Sequence, residues 1–422
     1  ACRAVQTAVD GGPGPVHLNW PLRDPLVSAG ELPEPAPGRE GERPWVAHAR
    51  TRRELEPQTV QELADIVRSS PRGVLVAGRS PGEDDGIQGL QAFSAASGYP
   101  LLADPLSGAR RGPGAIAHYD ILLRHRAFAE AHQPELVIRA GDLPTSKPLR
   151  EWLAACGARH WAVDPTLRWQ DPSGVVDLRL GAETGPLLCA LAAALQAGER
   201  ESQPEWLAAW RRADERAAGS LTATLGSGLS EPAVAVELAR ALPAQATLFV
   251  ASSMPVRDLE SFWPVLDPPP RVLSNRGANG IDGTVSSALG AAAAADGPVV
   301  ALIGDVALAH DLGGLIAARR LGLALTLVVI NNDGGGIFEF LPVSGQAAIY
   351  EQHVATPHGL NFAAAASLYG FEHRLVGDMT QLSCALQETL GGPPAMIEVR
   401  TDRTENVGAH RDAFEAVGRA LA

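Results

Sequence analysis

An aspartate and an asparagine each end an apolar run in this chain. Asp305 closes "PVVALIGD" and Asn332 closes "LTLVVINN", with Asp333 and the glycines Gly334, Gly335 and Gly336 directly after. The two residues stand 27 positions apart. That spacing fits one strand, a crossover helix and a second strand, which would bring a carboxylate and an amide oxygen together beyond the strand ends. Hard oxygen donors of this kind suit Mg²⁺. Two side chains do not fill an octahedron, so phosphate oxygens, water and a backbone carbonyl would complete it. The glycines permit close backbone approach, and a helix beginning near Ile337 would point its N-terminus at the same phosphate. Asn-Asp-Gly alone makes a turn far more often than a site. The Gly304-Asp305 pair at crossover spacing is what favours the functional reading.

These residues need a scaffold that supplies strand ends. Short apolar runs bounded by turn residues recur along the chain: "GVLVAG", "PLLAD", "ELVIRAG", "HWAVDP" and "VVDLRL" in the first half, "ATLFVASS", "RVLSNRG", "PVVALIGD", "LTLVVINND" and "PAMIEVRT" in the second. Helical stretches such as "VQELADIVRSS", "ILLRHRAFAEAH" and "PEWLAAWRRADERAAGSL" separate them. Strand-helix-strand alternation predicts parallel βαβ units. The runs at 298–304 and 325–330 show no polar alternation, as expected of central strands covered on both faces. The chain therefore reads as two α/β domains, each a doubly wound parallel sheet, joined near Glu199–Glu205. "PVHLNW" (Pro15–Trp20) reads as a further short strand, and the Pro-rich stretch from Gly30 to Trp45 as an extended linker. The Ala/Gly run "SALGAAAAADG" reads as a tightly packed helix.

With 422 residues, 45% of them hydrophobic, the chain can build two or three domains. A net charge of −13 argues against non-specific binding to nucleic acid or anionic membranes. The four cysteines form no CxxC pair, which predicts inert thiols in a reducing, cytoplasmic setting. No stretch reaches the roughly 18 apolar residues of a membrane span. The first residues lack the pattern of a signal peptide. They read as the last turns of a helix, so an element is expected before them.

Gly-Asp, nearly thirty residues, then Asn-Asn resembles the signature of thiamine-diphosphate enzymes. "GPVHLNWPLRDPL", "SNRGANGIDGTVSSALG", "GDVALAHDLGGL" and "VVINNDGGGIFEFLP" are similar, within that class, to the MenD branch of menaquinone biosynthesis. The resemblance runs along almost the whole chain and is densest from Ser252 to Pro342. Val306 departs from the broad signature, where many relatives have Gly, but the MenD branch tolerates an apolar residue there.

The resemblance implies a decarboxylating carboligase, a transferase that joins 2-oxoglutarate to isochorismate and releases CO₂. The cofactor carries the chemistry while the protein supplies position and electrostatics. It implies thiamine diphosphate with Mg²⁺, or Mn²⁺ in its place, held by Asp305 and Asn332 through side chains and Gly334 through its carbonyl. Gly304, Gly335 and Ile337 would lie along the cofactor, and Ile281 would be the apolar wedge that bends it. Arg257, Arg276, Ser253 and Lys147 match substrate-binding positions, the arginines as carboxylate clamps. Ile337, Phe338 and Leu341 match the apolar wall beside the ring substrate. By residue type alone an isolated Arg is usually a solvated charge, and Ile337 with Leu341 at i, i+4 is more often core. His310, beside Asp311, is left outside the catalytic set.

By the same resemblance, residues 1–27 match only the end of a pyrimidine-binding domain. Residues 28–58 would be a linker, 59–198 the central domain and 199–422 the diphosphate- and metal-binding domain. The glutamate that activates the aminopyrimidine would belong to the pyrimidine-binding domain, which leaves no activating carboxylate in this chain. The active site would be shared across a homodimer or homotetramer, and the chain alone would bind without turnover. Two other readings remain. One is another thiamine-diphosphate carboligase or 2-oxoacid decarboxylase, such as an acetolactate-synthase-like enzyme. The other is a non-catalytic half-site or scaffold. A nicotinamide dehydrogenase is disfavoured because no GxGxxG follows an expected strand.

Overall fold

Every strand pairs in parallel, as the apolar runs without alternation require. The computed structural model describes residues 1–422 apart from 11–12, 25, 28–29, 32–33, 35–38, 50–51, 80–83, 198–203 and 227. Among the described residues the first sheet contains β1 (Gly73–Ala77), β2 (Leu101–Ala103), β3 (Leu136–Ala140), β4 (Arg159–Val163) and β5 (Leu178–Leu180), in the order β2-β1-β3-β4-β5. The second contains β6 (Thr247–Val250), β7 (Arg271–Leu273), β8 (Val299–Gly304), β9 (Thr326–Asn331), β10 (Glu372–Val376) and β11 (Ala395–Arg400), in the order β10-β11-β9-β8-β6-β7.

Successive side chains of a strand face opposite ways, and both faces of each sheet are buried. In β1, Val74 and Val76 enter one apolar core while Leu75 and Ala77 enter another. In β8, Val300 and Leu302 face the core that also holds Val74 and Val76, whereas Val299, Ala301 and Ile303 face a third. One continuous core therefore lies between the two sheets. The helix Pro204–Leu225 runs through it. Its Trp210 is fully buried and meets Phe128 edge-on at 5.1 Å and Trp152 at 5.9 Å. Trp206, one turn earlier, donates its indole N–H to the Gly73 carbonyl at 2.8 Å. Arg110 and Glu260, both about 2% exposed, pair across the same junction at 3.3 Å.

Several sequence expectations need correction. Pro15–Trp20 forms no strand, because a strand exists only by pairing and no described strand lies beside it; Leu18 and Trp20 are exposed. Val175–Leu180 narrows to β5, and β10 was not anticipated because "EHRLV" carries little apolar signal. The expected helix over "ILLRHRAFAEAH" is two helices, Tyr119–Leu122 and Arg126–Ala131, since His125 is extended (φ −88°, ψ 106°) between them. The break keeps Leu122 and Phe128 both buried. Most of the expected junction Glu199–Glu205 and part of the Gly30–Trp45 linker (32–33 and 35–38) lie outside the described residues. All four cysteines are unpaired. Among the described residues no helix is long and apolar enough to cross a membrane.

The second sheet sets the location of a site. From β6 the chain moves outward to β7, then returns past β6 to β8 and continues to β9. The reversal opens a crevice beyond the carboxyl ends of β6 and β8, the position where open parallel sheets bind ligands. Ser252 and Ser253 follow β6, Asp305 follows β8, and Asn332 follows β9.

Candidate active site

Gly304 pairs with Ile330 in the β8–β9 register, so the next residues of both strands emerge side by side. Asp305 is 2% exposed. Its Oδ2 accepts the main-chain N–H groups of Asn332 (3.1 Å) and Gly334 (3.0 Å), and its Oδ1 accepts that of Val306 (2.7 Å). The imidazole Nε2 of His358 lies 3.2 Å from Oδ2. Burial pushes the Asp305 carboxyl above its usual range, and the Gly334 and Val306 N–H groups and His358 act against it.

Asn332 has its two amide ends in different surroundings. Its Nδ2 donates to Glu231 Oε1 at 2.9 Å, while its Oδ1 is buried and has no partner among the described residues. A buried carbonyl oxygen without a donor is unfavourable, and a cation is a natural partner for it. Gly334 adopts φ +143°, where a Cβ would lie 2.4 Å from the Ala355 carbonyl oxygen. A Cβ on Gly336 would lie 2.6 Å from Asn332 Nδ2. The backbone here comes closer to its neighbours than any side chain permits. Among the described residues no cluster of three or more His, Cys, Asp or Glu side chains could hold a metal. The oxygens that adjoin each other here are the Asp305 carboxylate and the Asn332 amide oxygen. That set leaves positions for phosphate oxygens and water and fits Mg²⁺ bound together with a diphosphate.

The expected helix start near Ile337 is instead a five-residue 3₁₀ helix, Gly336–Phe340. Pro342 holds Leu341 extended (φ −111°, ψ 152°) and stops the turn there. So short an element adds no helix dipole toward a phosphate. It does present an apolar face, since Phe338 is 38% and Leu341 47% exposed while Ile337 is half-buried. Ile281 lies half-buried against the core of the second sheet's outer face. A Cβ at Gly304 would meet open space, and Gly335 is tied by its N–H to the Ala355 carbonyl at 2.8 Å.

A polar cleft of about 370 Å³ opens beyond the carboxyl ends of β1, β2 and β3 and the loop after β7. Arg79, Arg150, Arg168 and Arg276 line it with Asp104 and Asp142. Arg276 Nη1 donates to Ser252 Oγ at 3.3 Å, which joins the cleft to the β6 end. Burial, then the Arg257 guanidinium, lowers the Arg276 pKa, and Arg150 and Arg79 add to that. Burial and Arg150 act likewise on Arg257, against the attraction of Asp258. Cations held this close favour an anionic occupant. Ser253, next to Ser252, adopts φ +75°, an uncommon conformation for a residue with a side chain, and its carbonyl accepts Arg257 Nη1 at 2.5 Å. Lys147 is not brought to this group: its side chain is 76% exposed and pairs with Glu151 at 3.5 Å. His310 is exposed. A larger cavity of about 480 Å³, lined by Leu221, Val236, Phe262 and Met379, contains none of these strand-end residues.

Sequence reasoning missed Glu231, Thr401, His358 and the Asp258–His410 pair. Glu231 Oε1 accepts both Asn332 Nδ2 and Thr401 Oγ1 (3.0 Å). Burial, and then the Asp258 charge, push the Glu231 carboxyl up to about 7. Asp258 accepts from His410 Nε2 at 2.8 Å. Burial pushes the His410 imidazole down, and the hydrogen bond to Asp258 with its charge outweighs that and raises it. Asp333 Oδ1 accepts the N–H groups of His358 (3.0 Å) and Gly359 (2.8 Å), which pins the His358 loop over Asp305. Spacing could not reveal Glu231, which lies 101 positions from Asn332.

Residues 39–250 match the middle domain of thiamine pyrophosphate (thiamine diphosphate) enzymes, and residues 256–399 match their C-terminal thiamine-pyrophosphate-binding domain. The class is thus a thiamine-diphosphate enzyme, with the Asp305–Asn332 site inside the cofactor-binding part. The chain is 40% identical to the 2-succinyl-5-enolpyruvyl-6-hydroxy-3-cyclohexene-1-carboxylate synthase of Myxococcus xanthus, over 99% of this chain and 73% of that protein. It is 41% identical to the synthase of Rubrobacter xylanophilus (94% and 70%) and 40% identical to that of Chloroflexus aurantiacus (100% and 72%). The chain belongs to the 2-succinyl-5-enolpyruvyl-6-hydroxy-3-cyclohexene-1-carboxylate synthase family.

Proposed function

We propose that the chain carries the diphosphate- and metal-binding part of a carboligase that joins 2-oxoglutarate to isochorismate with loss of CO₂, in menaquinone biosynthesis. The observation that supports this most directly is the buried, unpartnered Asn332 Oδ1 beside the Asp305 carboxylate, at two adjacent strand ends within the cofactor-binding match. Asp305, Asn332 and the Gly334 carbonyl would hold Mg²⁺, or Mn²⁺ in its place, with the diphosphate. Thiamine diphosphate, when bound, supplies the electron sink that both decarboxylation and carbon–carbon bond formation need.

The remaining work belongs to the protein's own groups. Arg276 and Arg257 would clamp substrate carboxylates by charge-assisted hydrogen bonds, with Ser253 as a polar contact. Phe338 and Leu341, with Ile337, would cover the ring substrate and exclude water from the reacting face. Ile281 would bear on the cofactor from the β7 side. Lys147 would have to leave Glu151 to reach a substrate. Residues 59–198 would form the central domain and 199–422 the cofactor domain. The carboxylate that activates the aminopyrimidine would come from a pyrimidine-binding domain, across an interface of a cytoplasmic homodimer or homotetramer.

The test is CO₂ release from 2-oxoglutarate with isochorismate, thiamine diphosphate and Mg²⁺, with and without the pyrimidine-binding domain of a relative added in trans. Turnover only with that domain, and none on pyruvate, is the expected result. Pyruvate turnover without 2-oxoglutarate turnover would make the protein a different carboligase.

A further inference from the structure

Asn332 can serve a cation only by its oxygen, yet an amide has two ends of nearly the same shape. Something must choose between them. The choice falls to Glu231, which is 3% exposed and is the first residue of the helix Glu231–Ala241. Ser230 caps that helix through the Ala233 N–H (3.4 Å). The Glu231 carboxylate is thereby left to other partners, and Oε1 accepts from Asn332 Nδ2 at 2.9 Å and from Thr401 Oγ1 at 3.0 Å. Oε1 takes the Thr401 hydroxyl and the Asn332 amide on one oxygen as an acceptor, so the end of Asn332 that faces it is the NH₂ end. Oδ1 is then the end turned away, buried and without a donor among the described residues. Thr401 is itself fixed, because its N–H donates to the Asn331 carbonyl at 3.1 Å in the continuation of the β9–β11 ladder. Three elements distant in sequence thus converge on one amide.

We propose that Glu231, steadied by Thr401, is a positioning residue that sets the Asn332 amide with its oxygen toward the cation. The inference rests on the proposed binding of Mg²⁺ and diphosphate at Asp305 and Asn332. Without Glu231 the amide turns freely, and in half of its orientations it presents N–H groups to a cation. Partners that orient a metal ligand commonly change affinity by about tenfold to a hundredfold when removed.

The experiment measures, by calorimetry on the 422-residue chain, the Mg²⁺ concentration that half-saturates thiamine diphosphate binding, and repeats it with Mn²⁺. Asp305→Ala is the control for the site itself: loss of metal-dependent binding there, with binding by the unaltered protein, secures the reading on which the inference rests. Glu231→Ala should raise the half-saturating concentration about tenfold to a hundredfold. Glu231→Gln, which keeps an acceptor oxygen, should stay within about threefold of the unaltered protein, and Thr401→Val should fall between the two. A purely structural role would instead lower the thermal midpoint of the metal-free chain and leave the metal requirement of the folded protein unchanged. An unchanged requirement in Glu231→Ala overturns the proposal, as does a Glu231→Gln variant as impaired as Glu231→Ala. If Glu231→Ala does not fold, an unshifted requirement in Thr401→Val overturns it. Absence of any metal-dependent binding by the unaltered protein would overturn the functional reading and the inference with it.

Discussion

Asn332 donates its main-chain N–H to Asp305 Oδ2 at 3.1 Å, so two residues 27 positions apart share one carboxylate oxygen. The bond orients Asp305 through the backbone of the next strand rather than through a side chain. Asp305 therefore keeps its place whichever way the Asn332 amide turns, and the two proposed cation donors depend on different supports.

Removal of the carboxylate should accordingly abolish the site. Asp305→Ala is expected to show no metal-dependent heat when thiamine diphosphate is titrated in the presence of Mg²⁺. Binding like that of the unaltered protein would remove Asp305 from the metal set.

Arg276 and Arg257 should act on substrate rather than on cofactor. Arg276 lines the cleft beyond β1, β2 and β3, and Arg257 bears on it electrostatically. Each change to Ala, assayed with a pyrimidine-binding domain present, should raise the KM for a carboxylate substrate about tenfold to a hundredfold, the equivalent of one charge-assisted hydrogen bond of about 1.5–3 kcal/mol. Cofactor affinity should stay nearly constant. Unaltered kinetics with both substrates would mark them as surface charges.

Gly334 tolerates no side chain. At φ +143°, a Cβ would meet the Ala355 carbonyl oxygen at 2.4 Å. Gly334→Ala must shift the backbone that donates to Asp305 Oδ2 at 3.0 Å. A loss of roughly 1–3 kcal/mol in urea unfolding is expected, together with a higher Mg²⁺ requirement. A change in neither would mean that the loop relaxes without disturbing Asp305.

Asp214 gives a pH dependence that lies away from the site. On the helix Pro204–Leu225 it accepts the N–H groups of His118 (2.8 Å) and Ala117 (3.1 Å) and faces His118 Nδ1 at 2.9 Å. Burial alone would raise its pKa, but the His118 hydrogen bonds and charge, with the Ala117 N–H, bring it below 3.8. A carboxyl with a depressed folded value stabilises the protein above its unfolded value and loses that contribution as pH falls through the folded one. The stability difference between the unaltered protein and Asp214→Ala, from urea unfolding, should therefore be largest near neutral pH and shrink below about pH 4. A difference that stays flat from pH 7 to pH 3 would show that Asp214 is not held ionised by His118.

Much of the scaffold was legible from local pattern. The runs that became β1, β3, β8 and β9 are mostly apolar and end at turn residues, so their positions follow from composition and its boundaries. Their parallel pairing followed from the helices between them. Pro15–Trp20 misled because a strand-like run becomes a strand only beside another, and "EHRLV" was passed over because β10 at the sheet's edge needs little apolar character.

The chain by itself determined the two sheets and the Asp305–Asn332 spacing, since both are built from successive strand-to-strand crossovers, where periodicity and connection length act. Only the tertiary structure decided that Glu231 faces Asn332 from 101 positions away and that Thr401 reaches Glu231 from 170. The same holds for Arg276 joining Arg79 and Arg150 in one cleft, and for Lys147 turning to Glu151 and the solvent. Those relations depend on how helices settle against sheets and how one core joins both sheets. Such packing is fixed by the summed burial of many side chains and leaves no spacing to read along the chain.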